Sequence, residues 1–503
     1  MRGFFRFSSS PAALFIFSFV VLFFLLGLHK VLFLRPQSIH QWAQCDRASV
    51  AWNYYVGGYD FFHPRVNNIA NGSGITGLEF PVIQYCVALL YGVFGFHEWI
   101  YRLLTLCVCA SGLYCTWRIV EQLCSARLVA SLLVLFLACS PLISYYSISF
   151  IPDVYSMSFL MVSWYMLVRE RVHGLNWYSV IHWVFLSMAC LIKPTSLIYL
   201  PAFWIYRLKS QNQPKAKKTL LVNFGLSVLV FLITASWYAY AKWLSSVEHS
   251  GVFLLQARPI QNFNQLLEIW ELVRSNWLNR IFNPYVLSGI VFGFILLLIM
   301  KLKNLPVAAW MAISALPGVG FYFWQMGQQF PYHDYYALLL IPALVFILTA
   351  FACVLKSLQS KSLRTGILLV FVSIIAMQFY SAKTHVRVSH KSGSWKYGHS
   401  FFDDYFDGDG ILTRAGLSRE EAILSAFDPT PNVSLYLLGR KGINVPGLAE
   451  LEVILKHPES IKVNYLLIHE KSLDGINPLD TSIYPVTEMR CEPPFRLYRI
   501  RKI

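Results

Sequence analysis

The sequence predicts an all-α polytopic membrane protein with about 11 to 13 transmembrane helices and a small C-terminal α/β domain on the outer face. Three observations lead there. Of 503 residues, 56% are hydrophobic and 14% charged, with a mean hydropathy of +0.50. That charged share is about half of what a soluble domain carries. Apolar runs long enough to cross a bilayer recur along most of the chain. Basic clusters follow every second run, as cytoplasmic loops do.

The runs are 13–34, 99–117, 128–148, 152–168, 177–192, 195–206, 218–241, 284–300, 306–324, 335–355 and 365–380. The first follows "MRGFFRFSSS". It is longer than a signal-peptide core and no small-x-small cleavage site follows, so it reads as an uncleaved helix with its basic end in the cytoplasm. The basic clusters are Arg2/Arg6, Arg118/Arg127, Arg169/Arg171, Arg207/Lys209/Lys215/Lys217/Lys218, Lys301/Lys303 and Lys356/Lys361/Arg364. A further run, 80–96, would put them on both sides if it crossed. It is therefore read as lying along the surface or packed inside the protein. Eleven spans remain, N-terminus inside and C-terminus outside, with the short runs 152–168 and 195–206 leaving the count open by two. The outer face then carries 35–98, 148–153, the Lys193-Pro194 turn, 244–283, 325–335 and the tail.

The tail differs in character. From residue 381 to 503 there are 16 basic against 15 acidic residues, so the net charge of +16 belongs almost wholly to the membrane part. That argues against a nucleic-acid-binding domain. "NVSLYLLGRKGINV", "KVNYLLIHE" and "FRLYRIRK" read as strands, with "LAELEVILKHPE" as a helix between two of them. Two domains are expected: 1–380 in the membrane, with the first outer loop 35–98 carrying the chemistry, and 381–503 outside. Most of the ten cysteines fall in or beside apolar runs, and no CxxC pair suggests zinc or redox chemistry. A disulfide between Cys45 and Cys491 is left open, without support from spacing. Asn71-Gly-Ser and Asn432-Val-Ser match a glycosylation sequon, which matters only in a secretory pathway.

Chemistry beside a bilayer needs ionisable groups that are expensive to keep there. In "QWAQCDRASVAWNYY", Asp46, Ser49 and Asn53 share one helical stripe near Trp42 and Trp52, with Arg47 pointing the other way. Such a face suits a groove for a polar group beside a lipid, or a plain interfacial helix. Glu79 precedes Phe80-Pro81 at the start of the run 80–96, as a helix cap or as a second carboxylate facing Asp46. Asp153 follows Pro152 at the outer end of a short run, as an N-terminal acid or a site residue. Lys193 stands between apolar runs with no acid nearby in sequence, snorkelling or binding phosphate. "HDYY" puts His333, Asp334, Tyr335 and Tyr336 at the head of a helix. No GxGxxG, Walker loop or GxSxG is present, which sets soluble nucleotide chemistry aside.

In order along the chain stand a first apolar helix, "HQWAQCDRA", "DFFHP", "GLEFPVIQY", "PD", "KPT" and "HDYY". This order resembles the GT-C glycosyltransferases that use polyprenyl-phosphate sugars. Within them it looks most like the bacterial branch related to protein O-mannosyltransferases and to the transferase that adds aminoarabinose to lipid A. The resemblance covers residues 10 to 380. It implies a GT-C fold in the bacterial inner membrane, a polyprenyl-phosphate-linked sugar donor, and a lipid, glycan or protein acceptor. Carried onto this sequence, it makes Asp46 the general base or the group orienting the acceptor, with Glu79 as the second acid. It places Asp153, His333, Tyr335 and Tyr336 against substrate, and the polar stripe adds Asn53. The aminoarabinose enzyme has a basic residue just after the Glu79-type acid; here that position is Phe80. The phosphate contact then passes to Lys193, Arg65 or Arg258, and aminoarabinose itself fits less well. Metal use varies among such enzymes; a divalent ion here would fall to Glu79 and His333. A phosphate leaving group needs only a base and electrostatic stabilisation, and back-side attack inverts the anomeric carbon. The alternative from another class is a transporter or flippase for a lipid-linked glycan, which usually shows paired repeats and broken mid-membrane helices. A glycan polymerase or ligase is usually marked by a large late outer loop, and 325–335 is short.

Overall fold

The computed structural model describes residues 10–170, 176–209, 217–250, 253, 257–301, 304–391, 400–473 and 484–502. Arg2, Arg6, Arg171, Lys215 and Lys303 of the basic clusters lie outside the described residues. The chain divides into two compact units. One takes Met1–Phe33, Arg102–Trp237 and Gln256–Val388; the other takes Leu34–Tyr101, Tyr238–Leu255 and Ser389–Ile503.

The first unit is helical. Among the described residues, five helices, lying wholly or mostly in this unit, are long and apolar enough to cross a membrane: Glu98–Cys124, Thr219–Val247, Val307–Gln325, Asp334–Ser357 and Lys361–Ser389. Shorter apolar helices include Pro11–Leu26, Arg127–Ala138, Trp177–Ile192 and Pro284–Met300. Every expected run meets a helix, but several runs are interrupted for local reasons. The first helix starts on a Ser10 cap and stops at Leu26, where Gly27 turns left-handed (φ 81°). The run 128–148 breaks at Ser140-Pro141: Pro141 has no N–H to continue the ladder, and Ser140 Oγ caps a new helix by accepting from Ile143 N at 3.1 Å. The runs 195–206 and 335–355 each open with a 3₁₀ segment, Pro194–Tyr199 and Asp334–Leu340.

Where Glu98–Cys124 meets Asp153–Arg169, a Cβ on Gly112 would sit 2.8 Å from Ser158 Cα. Small residues here let two backbones approach. Gly112→Leu is expected to cost about 1–3 kcal/mol by overpacking, read as a lower unfolding temperature in detergent. Gly225→Leu, with open space around its Cα, is expected to leave that temperature unchanged; equal losses would reject the close approach.

In the second unit, helix Gln41–Val56 packs on helix Val82–Phe94 through Val50, Tyr54 and Ala88, with Val66 and Leu78 from the intervening loop. The helix Val82–Phe94 has 13 residues, a rise of about 20 Å against a hydrocarbon core of about 30 Å. It is too short to cross upright.

The tail forms a five-stranded sheet: β1 (Ile423–Ala426), β2 (Gly442–Val445), β3 (Tyr465–His469), β4 (Val486–Met489) and β5 (Phe495–Ile500), in the order β2-β1-β3-β5-β4. β1 runs parallel to β2 and β3; β5 runs antiparallel to β3 and β4. Two expected strands appear as β3 and β5, and the expected helix as Leu448–Lys456. The stretch 432–445 is not a strand throughout. Val433–Leu438 is a buried helix closed by left-handed Gly439 (φ 65°), and only Gly442–Val445 is extended. A run of six residues buried all round, five of them apolar, carries no period to tell helix from strand.

Residues 35–98 fall in the same unit as the tail. Their backbone joins the edge of the sheet: Ile69 N donates to Gly442 O at 2.7 Å, and Gly442 N to Asn67 O at 3.0 Å. Asn67 Nδ2 donates to Arg440 O at 3.0 Å and Asn68 Nδ2 to Pro431 O at 2.7 Å. Strand β2 would otherwise be an uncovered edge. Glycine is required at 442, since a Cβ there would lie 2.0 Å from Ile423 O.

This packing bears on three possibilities that the sequence left open. Asn432 is fully buried and its Oδ1 accepts from Asn68 N at 3.1 Å, so it is no glycosylation acceptor in the folded chain. The Asn71 amide is engaged with Ile75 O at 2.9 Å and Glu248 O at 3.0 Å. Cys45 and Cys491 are both free thiols, and Cys45 is wholly buried.

Candidate active site

Asp46 sits on the buried face of helix Gln41–Val56, 6% exposed. Its Oδ1 has no hydrogen-bond partner among the described residues, and its Oδ2 is 3.8 Å from Arg47 Nη1. Burial lifts its carboxyl to about 7, against the pull of Arg47 and with a further push from Glu79 and Asp428. Another buried acid of the same unit shows the contrast. Asp428 accepts from Thr430 N at 2.8 Å, Thr430 Oγ1 at 2.6 Å, Ser434 N at 2.8 Å and Asn444 Nδ2 at 2.7 Å. Asp428 is tied into a turn; Asp46 keeps an oxygen unused.

Helical spacing sent Arg47 away from the site, and the structure corrects this. Its long side chain turns back and bonds Glu79 Oε1 through Nε at 3.0 Å and Nη2 at 2.7 Å. Spacing describes where Cβ points, not where a five-bond side chain ends. Glu79 therefore neither faces Asp46 alone nor merely caps a helix: it is held by a guanidinium that lies between the two acids. The rest of the stripe is turned inward too. Ser49 Oγ donates to Asn67 Oδ1 at 2.7 Å, and Asn53 Nδ2 to the same oxygen at 2.9 Å. These bonds hold the loop that reaches the sheet. Arg65 lies on that loop and makes no ion pair among the described residues; its Nε is buried without a hydrogen-bond acceptor.

In the helical unit, Lys193 and Asp153 come together, Nζ to Oδ2 at 3.1 Å, although 40 positions separate them in sequence. Asp153 opens helix Asp153–Arg169 and Lys193 closes Trp177–Ile192, so the hairpin of these two helices makes the pair. The segment 334–340 packs against Asp153–Arg169, and Tyr199 OH donates to Leu339 O at 2.5 Å. Asp334 accepts from Tyr146 OH, a partner the sequence did not single out. His333 stacks on Tyr336 with ring centres 5.1 Å apart, and its Nδ1 donates to Gln329 O at 2.9 Å. Tyr335 packs edge-on against Tyr146. Arg258 is exposed, its backbone oxygen accepting from Gln328 N at 3.2 Å, which pins it to the segment leading into His333. Beside Phe330 and Ala337 lies an apolar cavity of about 220 Å³, lined also by Trp270, Trp277, Phe323 and Leu344.

Glu79 and His333, to which a divalent ion was assigned, lie in different units of the chain. Among the described residues no three His, Cys, Asp or Glu side chains are gathered to hold a metal. Glu79 gives an oxygen to Arg47, and His333 gives its Nδ1 to a carbonyl.

Residues 79–240 match the family model described as dolichyl-phosphate-mannose-protein mannosyltransferase. Comparison with curated protein sequences gives no significant match. Among solved structures, ArnT from Cupriavidus metallidurans in the apo state matches with a TM-score of 0.60 at 14% identity, over 97% of this chain and 97% of that one. The chain has the GT-C glycosyltransferase fold. ArnT bound to undecaprenyl phosphate matches the GT-C chain with a TM-score of 0.52, 14% identity and the same coverage. The archaeal oligosaccharyltransferase AglB from Archaeoglobus fulgidus, in complex with an inhibitory peptide and a dolichol-phosphate, gives 0.50 at 11% identity, over 92% of this chain and 70% of that one. The family match starts at Glu79, takes in Asp153 and Lys193, and does not reach Asp46.

Proposed function

We propose that the protein is an integral-membrane glycosyltransferase that moves a sugar from a polyprenyl-phosphate donor to a lipid, glycan or protein acceptor on the outer face of a bacterial inner membrane. The observation that carries this is Asp46: a buried carboxyl with an unused oxygen, titrating at about 7, in a chain with a GT-C fold. A group that titrates near neutrality can take a proton from an acceptor hydroxyl as that hydroxyl attacks. The anomeric carbon–phosphate bond breaks as the new bond forms on the opposite side, so the product is inverted. Lys193, Arg258 and Arg65 offer cations to the departing phosphate, Asp153 holding Lys193 in place. Asn53 acts by fixing the loop rather than by touching substrate. Eleven spans with the N-terminus inside give these groups a common outer side.

The solved ArnT and AglB structures that hold undecaprenyl phosphate and dolichol-phosphate support a lipid-phosphate donor. The apolar cavity suits part of such a tail. Filling it with Leu344→Trp is expected to raise KM several-fold for a long-tailed donor while leaving a short-tailed analogue nearly unaffected; an equal change for both would reject the cavity as a tail site. The overall test is to supply purified protein with polyprenyl-phosphate sugars and follow release of the lipid phosphate. Movement of a lipid-linked glycan across proteoliposomes with no transfer would replace the enzyme by a transporter.

A further inference from the structure

Two thiols far apart in sequence meet inside the helical unit. Cys124 ends helix Glu98–Cys124 and is 3% exposed; Cys353 lies on helix Ile341–Ser357 and is partly buried. Their sulfurs are 2.8 Å apart. That separation falls between a disulfide bond of about 2.05 Å and ordinary contact between heavy atoms at roughly 3.5–4.0 Å. Each thiol also points toward the opposite helix. Cys124 Sγ lies 3.3 Å from Thr349 O, and Cys353 Sγ lies 3.7 Å from Leu123 O. Both side chains are thus aimed at one another from facing helices, with no intervening group to move.

We propose that Cys124 and Cys353 are a redox-active dithiol that closes reversibly to a disulfide, stapling helix Glu98–Cys124 to helix Ile341–Ser357. The oxidant is a small-molecule disulfide of the glutathione type. A thiolate from one cysteine attacks that disulfide, releasing one small thiol and leaving a mixed disulfide. The second cysteine then displaces the other small thiol. Overall, two protein thiols lose two hydrogens and one small disulfide becomes two thiols. Arg118, Arg127 and Lys356 lie close in sequence to the pair. On the topology proposed above this is the cytoplasmic side, where thiols rest reduced and a disulfide forms on oxidative challenge. The cross-link itself does not depend on that topology or on the transferase reading. Helix Ile341–Ser357 continues directly from the segment that bears Tyr335 and Tyr336, so the staple restrains the far end of an element of the candidate site.

The test uses full-length protein in detergent, incubated with oxidised glutathione, alkylated and digested without reduction. The expected result is a linked peptide pair holding residues 124 and 353, two hydrogens lighter than its parts, that separates on adding dithiothreitol. Cys124→Ala and Cys353→Ala should each lose the pair and gain one glutathione adduct on the remaining cysteine. Retention of both as free thiols, or two glutathione adducts on the wild type without a linked pair, would overturn the proposal. So would a linked pair that survives in either variant through another cysteine. Circular dichroism of both variants separates a lost cross-link from a lost fold.

Discussion

Asp46→Asn is expected to reduce sugar transfer by roughly 100- to 10,000-fold, the usual contribution of a positioned general base. The substitution keeps the shape and the burial, and removes the group proposed to accept the proton. In the wild type, kcat/KM should rise with pH and reach half its plateau at about pH 7, because the base works only when ionised. The residual activity of the Asn variant should lose that inflection. The same carboxyl makes a second, independent readout. Its folded value, about 7, stands above its unfolded value, so the folded state binds more protons between the two and stability falls as pH rises through that window. Ionised Asp46 thus costs stability, and the Asn variant should unfold at a higher temperature than wild type at pH 8, with the gain shrinking toward pH 5. A variant that is inactive and also less stable at pH 8 would mean that Asp46 serves the fold. Arg47→Met should move the inflection upward, since Arg47 is the group that pulls the carboxyl down.

Lys193→Met is expected to destabilise the protein by about 3–5 kcal/mol, the cost of breaking a buried ion pair from one side. Asp153 is fully buried and Lys193 Nζ lies 3.1 Å from it. Methionine fills a similar volume but leaves the carboxylate without that cation. The double variant Asp153→Asn/Lys193→Met should recover most of the loss, because a neutral amide needs no counter-charge. If Lys193 also meets the donor phosphate, the double variant folds but keeps a raised KM for donor. Full recovery of KM would confine the pair to a structural role. A single variant as stable as wild type would remove the ion pair from both accounts.

Much of the architecture could be read from the chain itself. Apolar runs and basic clusters have one-dimensional signatures, and every run of the sequence meets a helix. β3, β5 and the helix Leu448–Lys456 were legible because their apolar periods differ. Breaks such as Ser140-Pro141 were legible in principle, since a cap and a missing N–H are local facts. The acids were legible because charge at membrane depth is costly. Their partners were not.

By itself the sequence determined the class of protein, where its apolar helices lie, and which charged residues stand where charge is expensive. Those are properties of residues and their near neighbours. Only the tertiary structure decided that Arg47 turns back to Glu79, that Lys193 and Asp153 are one pair, and that Asn53 holds a loop. It also decided that the segment around Asn67 and Ile69 closes the edge of the tail's sheet. Each of these is a contact across tens or hundreds of positions. Long polar side chains and open sheet edges must be satisfied, but which distant group satisfies them depends on where folding brings the chain, and no local pattern records it.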